Sequence, residues 1–221
     1  MDLSSEIFNV ERGIYSCPKK LISRKETIIL PYREYISKSL PANKQYWSMS
    51  ARCIDDNGQL IPNCEMDQMV KERLITPDQF HGVDMRSHLY QANIKSKVGG
   101  HWYNNDFRSA MVKEYNRGNF NPGIVNVDSL YMPNRGVVDF GNIMSFLSSI
   151  KGLNGVLLIG NFILRQRKVT CIPNSIFEDL KSILNITFKQ CQWQSNFRVY
   201  TYNGSGTCKR TWMGSCIFYI L

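Results

Sequence analysis

Val156-Leu157-Leu158-Ile159-Gly160-Asn161-Phe162-Ile163-Leu164 is the longest apolar stretch of the chain, and what it folds into constrains everything around it. Gly160-Asn161 is a two-residue turn dipeptide between two apolar runs, the pattern of a β-hairpin. A buried helix segment has the same composition, because a run this short carries no period that separates helix from strand. A membrane span is excluded, since that needs roughly 18 apolar residues.

Towards the C-terminus, Ser175 to Glu178 after Pro173 is a capping-box signature. It opens an amphipathic helix bearing Ile176, Leu180, Ile183 and Leu184. Phe197, Val199 and Thr201 then alternate as in a strand. Asn203-Gly204-Ser205-Gly206 reads as a turn, Thr207 to Met213 as a second strand, and the chain closes on apolar Ile217 to Leu221.

On the N-terminal side the signals are helical. Asp139 opens a helix with Ile143, Phe146, Leu147 and Ile150 on one face and Gly152 as its stop. Asn119 to Gly136, with Pro122, Gly123, Pro133 and Asn134, reads as loop and is the best candidate boundary. Asn105 or Asp106 starts a helix carrying Phe107, Ala110, Met111 and Tyr115, stopped by Gly118. Thr76-Pro77-Asp78-Gln79 is a capping box with Pro at N1, and Gly82 holds that helix to one turn. Asp84 caps a further helix with Met85, Leu89 and Ala92, ended by Gly99-Gly100. Met66, Met69, Val70 and Leu74 recur at helical spacing, with Glu65 and Asp67 in the first turn, where the macrodipole favours acids. Residues 1–50, punctuated by Pro18, Pro31 and Pro41, read as an extended arm packing on neighbouring subunits. Residues 51–221 read as a single globular domain. The expected fold is mainly α, with a minor antiparallel β component near the C-terminus.

With 43% hydrophobic and 12% aromatic residues in 221, the chain has the apolar surface that disordered sequences lack. Its net charge of +9 and pI near 9.2 favour nucleic acid, an anionic membrane or an acidic partner, although the basic residues are scattered. Met1-Asp2-Leu3-Ser4-Ser5-Glu6 has neither a basic nor an apolar region, so no secretory signal is expected.

No arrangement of catalytic type stands out. His81-Gly82-Val83-Asp84 and Arg86-Ser87-His88 gather polar groups locally, but triads converge in space and not in sequence. Gly204 to Thr207 with Lys209 lacks the phosphate-loop pattern, and Lys97-Val98-Gly99-Gly100-His101 lacks the dinucleotide fingerprint. No cofactor and no metal are therefore expected, and the chain reads as a structural or binding protein rather than an enzyme. Trp193, Phe197-Arg198 and Tyr200, or Lys209-Arg210 with Trp212, could stack bases beside phosphates, so nucleic-acid binding is the alternative. Seven cysteines, Cys17, Cys53, Cys64, Cys171, Cys191, Cys208 and Cys216, form no CxxC, and their odd number leaves at least one without a partner in a monomer. They are either small buried apolar side chains or sites of bonds between chains in an oxidising environment.

The size, the tyrosine richness, the uneven cysteine set and the apolar end Ile217 to Leu221 together resemble a viral occlusion-body matrix protein, a polyhedrin of nudivirus type. The resemblance is one of character and not of motif. It implies a self-assembling lattice in host cytoplasm or nucleus that embeds virions, is later released as extracellular bodies and dissolves in alkali. The cysteines above would then lock the lattice. Tyr15, Tyr32, Tyr35 and Tyr46 would be alkali-sensitive contacts, since tyrosine ionises near pH ~10.

Overall fold

A computed structural model of the chain describes residues 8–9, 14–15, 18–50, 52–129, 133–164, 194–203 and 210–220. Side chains are described over 21–50, 52–128 and 140–161, and for Ser215, Ile217, Phe218 and Tyr219. A two-residue antiparallel ladder pairs Phe8–Asn9 with Ile14–Tyr15. After it the chain runs through helix α1 (Pro18–Arg24), a π-helical turn (Lys25–Ile29) and helix α2 (Leu30–Tyr35). There follow strand β1 (Gln45–Ser48), α3 (Glu65–Lys71), β2 (Phe80–Val83), α4 (Ser87–Asn93), β3 (His101–Tyr103) and α5 (Phe107–Asn116). The second half comprises β4 (Pro122–Ser129), α6 (Pro133–Ser149), β5 (Val156–Leu164), β6 (Gln194–Asn203) and β7 (Arg210–Ile220).

These strands form one seven-stranded sheet in the order β3-β2-β1-β4-β5-β7-β6. Every neighbouring pair from β3 to β5 is parallel, and β7 alone runs antiparallel to both its neighbours. The fold is therefore α/β with a doubly wound sheet, and the mainly α expectation is wrong. Strands buried on both faces lose the alternation that marks a half-exposed strand. Segments such as Tyr46-Trp47-Ser48 and Phe80-His81-Gly82-Val83 consequently carry too little pattern to be seen as strands.

Three local readings change with it. Val156–Leu164 is a single nine-residue strand, in register with Ile124–Ser129 on one side and Trp212–Ile220 on the other. Gly160-Asn161 is no turn, because Asn161 satisfies its buried amide within the sheet instead of reversing the chain. The supposed loop from Asn119 contains β4, and α6 starts at Pro133, six residues before the expected Asp139. The extended N-terminal arm is instead helical over 18–35, and Gln45–Ser48 lies in the middle of the sheet. The strands expected around 197–201 and over 207–213 fall in β6 and, from Arg210, in β7, which runs on to Ile220; residues 207–209 and the helix expected from Ser175 lie outside the described residues.

Helices cover both faces. Ile28, Ile29, Tyr32, Met66 and Met69 pack on Tyr46, Phe80, Ile124, Leu157, Ile159, Ile217 and Tyr219, all buried. On the other face Phe107, Ala110 and Met111 of α5 and Phe140, Ile143, Met144 and Leu147 of α6 pack on Trp47, Val83, Val125, Leu158 and Phe218. At roughly 1.5–3 kcal/mol for each fully buried large apolar side chain, these two layers dominate the stability. Cys64 caps α3 through its sulfur, which accepts from the Asp67 amide, and Asp106 caps α5 by accepting from Ser109 N–H. Among the described residues no helix is long and apolar enough to cross a membrane.

Candidate functional site

In an open α/β sheet, ligands bind outside the carboxyl ends of the strands, where the winding direction reverses. Here the chain winds from β1 out to β3 and then crosses to β4 on the other side of β1. The switch point therefore lies between the carboxyl ends of β1 and β4.

Polar side chains gather there among buried apolar ones. Glu65, the first residue of α3, is 5% exposed. Its Oε1 accepts from the Tyr46 hydroxyl at 2.8 Å, the Ser48 hydroxyl at 2.6 Å and the Asn126 amide at 2.9 Å. The Asn126 carbonyl oxygen accepts from Asn161 Nδ2 at 2.9 Å, and Asn161 Oδ1 accepts from the Ser215 hydroxyl at 2.5 Å. One hydrogen-bonded chain thus crosses β1, β4, β5 and β7. Arg24 of α1 approaches from above, its Nε 3.8 Å from Glu65 Oε2. A buried carboxylate is tolerated only when its lone pairs are filled, and this one is met by three donors and a guanidinium. Burial first, then the Glu65 charge, pushes the Tyr46 phenol well above its ordinary range.

Two residues at this edge keep unused hydrogen-bonding capacity. Ser50, just beyond β1, is 2% exposed, and its hydroxyl has no partner among the described residues. Asp84 follows the last residue of β2. It accepts from Arg86 N–H, Nε and Nη2 at 2.8, 2.9 and 2.6 Å, which leaves one lone pair on Oδ2. Between them Gly82 carries no side chain, and a Cβ there would meet the Trp102 ring at 2.4 Å and Ser50 Oγ at 2.8 Å.

A polar concavity of about 330 Å³ opens at the amino ends of the strands and is lined in part by Lys44, Gln45, His81, His101, Tyr103 and Glu114. The β2–β3 pairing sets His81 opposite His101, so the sequence's His81 and His101 do converge. The His81 ring stacks on those of His101 and Trp47 at centroid distances of 4.5 and 4.6 Å, and His81 Nδ1 lies 3.0 Å from the Tyr103 hydroxyl. Burial, with the His101 charge second, pushes His81 down to about 3, so it is neutral at physiological pH. His88 sits apart on exposed α4. No group of three or more His, Cys, Asp or Glu able to hold a metal occurs among the described residues.

The residues expected to serve a lattice fall in different places. Tyr32 and Tyr46 are fully buried core side chains and present nothing to a neighbour. Tyr35 is 41% exposed, with its ring 4.6 Å from that of Tyr219. Tyr15 and Cys216 are described only as strand backbone. Cys53 and Cys64 are buried free thiols in one chain, and Cys17, Cys171, Cys191 and Cys208 lie outside the described residues. The sequence reading placed Glu65 in a helix start and Asn161 in a turn, and singled out neither these nor Ser48, Ser50 and Asn126 as site residues. The available signal was the polar residue at the end of each short apolar run, as in Tyr46-Trp47-Ser48 and Ile124-Val125-Asn126.

No family model matches this chain, and neither does any curated protein. Among solved structures it is similar to a proposed rRNA-methylase from Clostridium thermocellum, at 9% identity over 92% of this chain and 94% of that one. The TM-score is 0.42, a likeness that carries neither fold nor function across.

Proposed function

We propose that this chain binds a nucleoside-bearing cofactor at the switch point between the carboxyl ends of β1 and β4 and acts as a group-transfer enzyme of methyltransferase type. The observation that carries the reading is the coincidence of the winding reversal with the buried polar cluster centred on Glu65, at the one edge where such sheets take ligands. The strand order, with only β7 reversed, is that of methyltransferase-like Rossmann sheets. An acid at the tip of β2 is the position from which a doubly wound sheet bonds ribose hydroxyls, and Asp84 stands there with a lone pair to spare.

The residues also favour one kind of cofactor over another. Ser48-Met49-Ser50-Ala51-Arg52 has no glycine to let backbone amides approach a pyrophosphate, so a dinucleotide does not fit. A nucleoside without pyrophosphate, such as S-adenosylmethionine, does. Asp84 would hold its ribose and the Ser50 hydroxyl would take a polar contact beside it. The bound cofactor would supply an activated methyl group. The chain's own part would be to hold the site polar and rigid through Glu65 and its partners.

Two of the four tyrosines expected as lattice contacts, Tyr32 and Tyr46, are interior side chains. The test is calorimetric titration of the full chain with S-adenosylmethionine and, separately, with NAD. Saturable one-to-one binding of the first, weakened about tenfold or more by Asp84→Asn, is expected, a loss of ~1.4 kcal/mol. Binding of NAD alone, or of neither, would reject the proposal.

A further inference from the structure

The loop that leaves β1 turns back on itself before α3. An isolated bridge joins Ile54 to Leu60, Ile61 N–H donates to the Cys53 carbonyl at 2.8 Å, and Asp55 Oδ1 accepts from the Asn57 and Gln59 amides at the tip. Its two ends are both cysteines. Cys53 and Cys64 are 2% and 3% exposed, and both are free. The Cys64 thiol points at the Cys53 residue, with its sulfur 3.6 Å from the Cys53 carbonyl oxygen. The same sulfur accepts from the Asp67 amide at 3.3 Å as the cap of α3. Cys53 is fixed in turn, because its amide donates to Asn93 Oδ1 at 2.9 Å.

We propose that Cys53 and Cys64 form a built oxidation site, closing an intrachain disulfide across the loop between β1 and α3 when the protein meets a peroxide. The Cys64 thiol already lies against Cys53, donating to its carbonyl oxygen while its sulfur accepts from the Asp67 amide. Interaction between the two thiols, ahead of burial, holds Cys53 below its usual range and Cys64 above it. With the Cys64 sulfur engaged on both sides, Cys53 is the attacking sulfur. Its thiolate attacks one oxygen of hydrogen peroxide, the O–O bond breaks, hydroxide leaves, and Cys53 becomes a sulfenic acid. The Cys64 sulfur then attacks the Cys53 sulfur, the S–O bond breaks, and the thiol proton leaves with the hydroxyl as water. Overall two thiols and one peroxide give one disulfide and two waters. Because both thiols are buried, a small neutral oxidant is favoured over a bulky disulfide such as oxidised glutathione.

The site differs from the bonds between chains expected from the sequence, because the Cys64 thiol lies against Cys53 within one chain. It stands independently of the proposed cofactor. The experiment treats the full native chain with hydrogen peroxide, alkylates remaining thiols and maps peptides by mass spectrometry, with thermal unfolding measured alongside. The expected product joins the Cys53 and Cys64 peptides at one-to-one stoichiometry. Its Tm should rise by roughly 5 °C, the effect of closing a short loop in the unfolded chain. The rise should disappear on reduction and be absent in Cys64→Ser. Recovery of both peptides alkylated after native oxidation, or their capture mainly in bonds to other cysteines, would overturn the proposal. The mapping needs no variant, so a poorly folding Cys64→Ser protein would not obscure the answer.

Discussion

Single residues carry unequal weight, and Glu65 carries the most. It satisfies three donors from two strands and faces Arg24, so truncation leaves four polar groups buried without their partner. Glu65→Ala should therefore cost about 3–5 kcal/mol in urea unfolding, whereas Glu72→Ala, in a half-exposed pair with Arg33, should cost less than about 1 kcal/mol. Titration follows from burial. Tyr32 is pushed up to about 12 by burial, against 10.0 for an ordinary tyrosine. In that window the unfolded chain has lost the proton that the native state keeps, so stability is full below pH 10.0 and falls as pH rises towards about 12. Alkali should thus unfold the chain itself, with tyrosinate absorbance and loss of circular dichroism rising together. His81 works in the opposite direction. Its value is depressed from 6.5 to about 3, so it contributes stability above pH 6.5 that disappears as pH falls towards 3. His81→Phe should narrow the difference in stability between pH 7 and pH 4.

At the scale of elements, the chain shows which patterns are legible. Helices α3 and α5 could be read from the sequence because each has one apolar face and an acidic or capping start, and α5 also has a glycine stop. The C-terminal strands could be read from alternation. The central strands could not, because a strand covered on both sides has no polar face to alternate with. Val156–Leu164 is the instructive case, since Gly160-Asn161 imitates a turn. What keeps it straight is long-range: Asn161 bonds to Asn126 and Ser215, 35 and 54 residues away. Exchanging the two residues, by Gly160→Asn together with Asn161→Gly, improves a hairpin turn but strips those bonds from a strand. The exchanged protein should be destabilised by about 1–3 kcal/mol in urea unfolding. A gain in stability would mean that the segment turns.

For the whole molecule, the order of winding matters more than any motif. A continuous sheet with helices on both faces has one edge where loops diverge, and the polar cluster lies beneath that edge. The sequence contains the residues of the cluster but not their convergence, since Arg24, Ser48, Glu65, Asn126, Asn161 and Ser215 are brought together only by the strand pairing. The resemblance to a lattice protein rested on composition, which does not specify topology. A bound cofactor also links site to stability. At ligand concentrations near 100 times Kd it should add about 2.7 kcal/mol and raise Tm by roughly 5–10 °C.

Hydrogen–deuterium exchange of the full chain with and without S-adenosylhomocysteine tests the central claim most directly, because it reports where a ligand sits as well as whether it binds. Protection concentrated in residues 48–55, 84–86 and 126–129, at the carboxyl ends of β1, β2 and β4, is the predicted result. Protection around Lys44, His81 and His101 at the opposite edge, or no change anywhere, would contradict it.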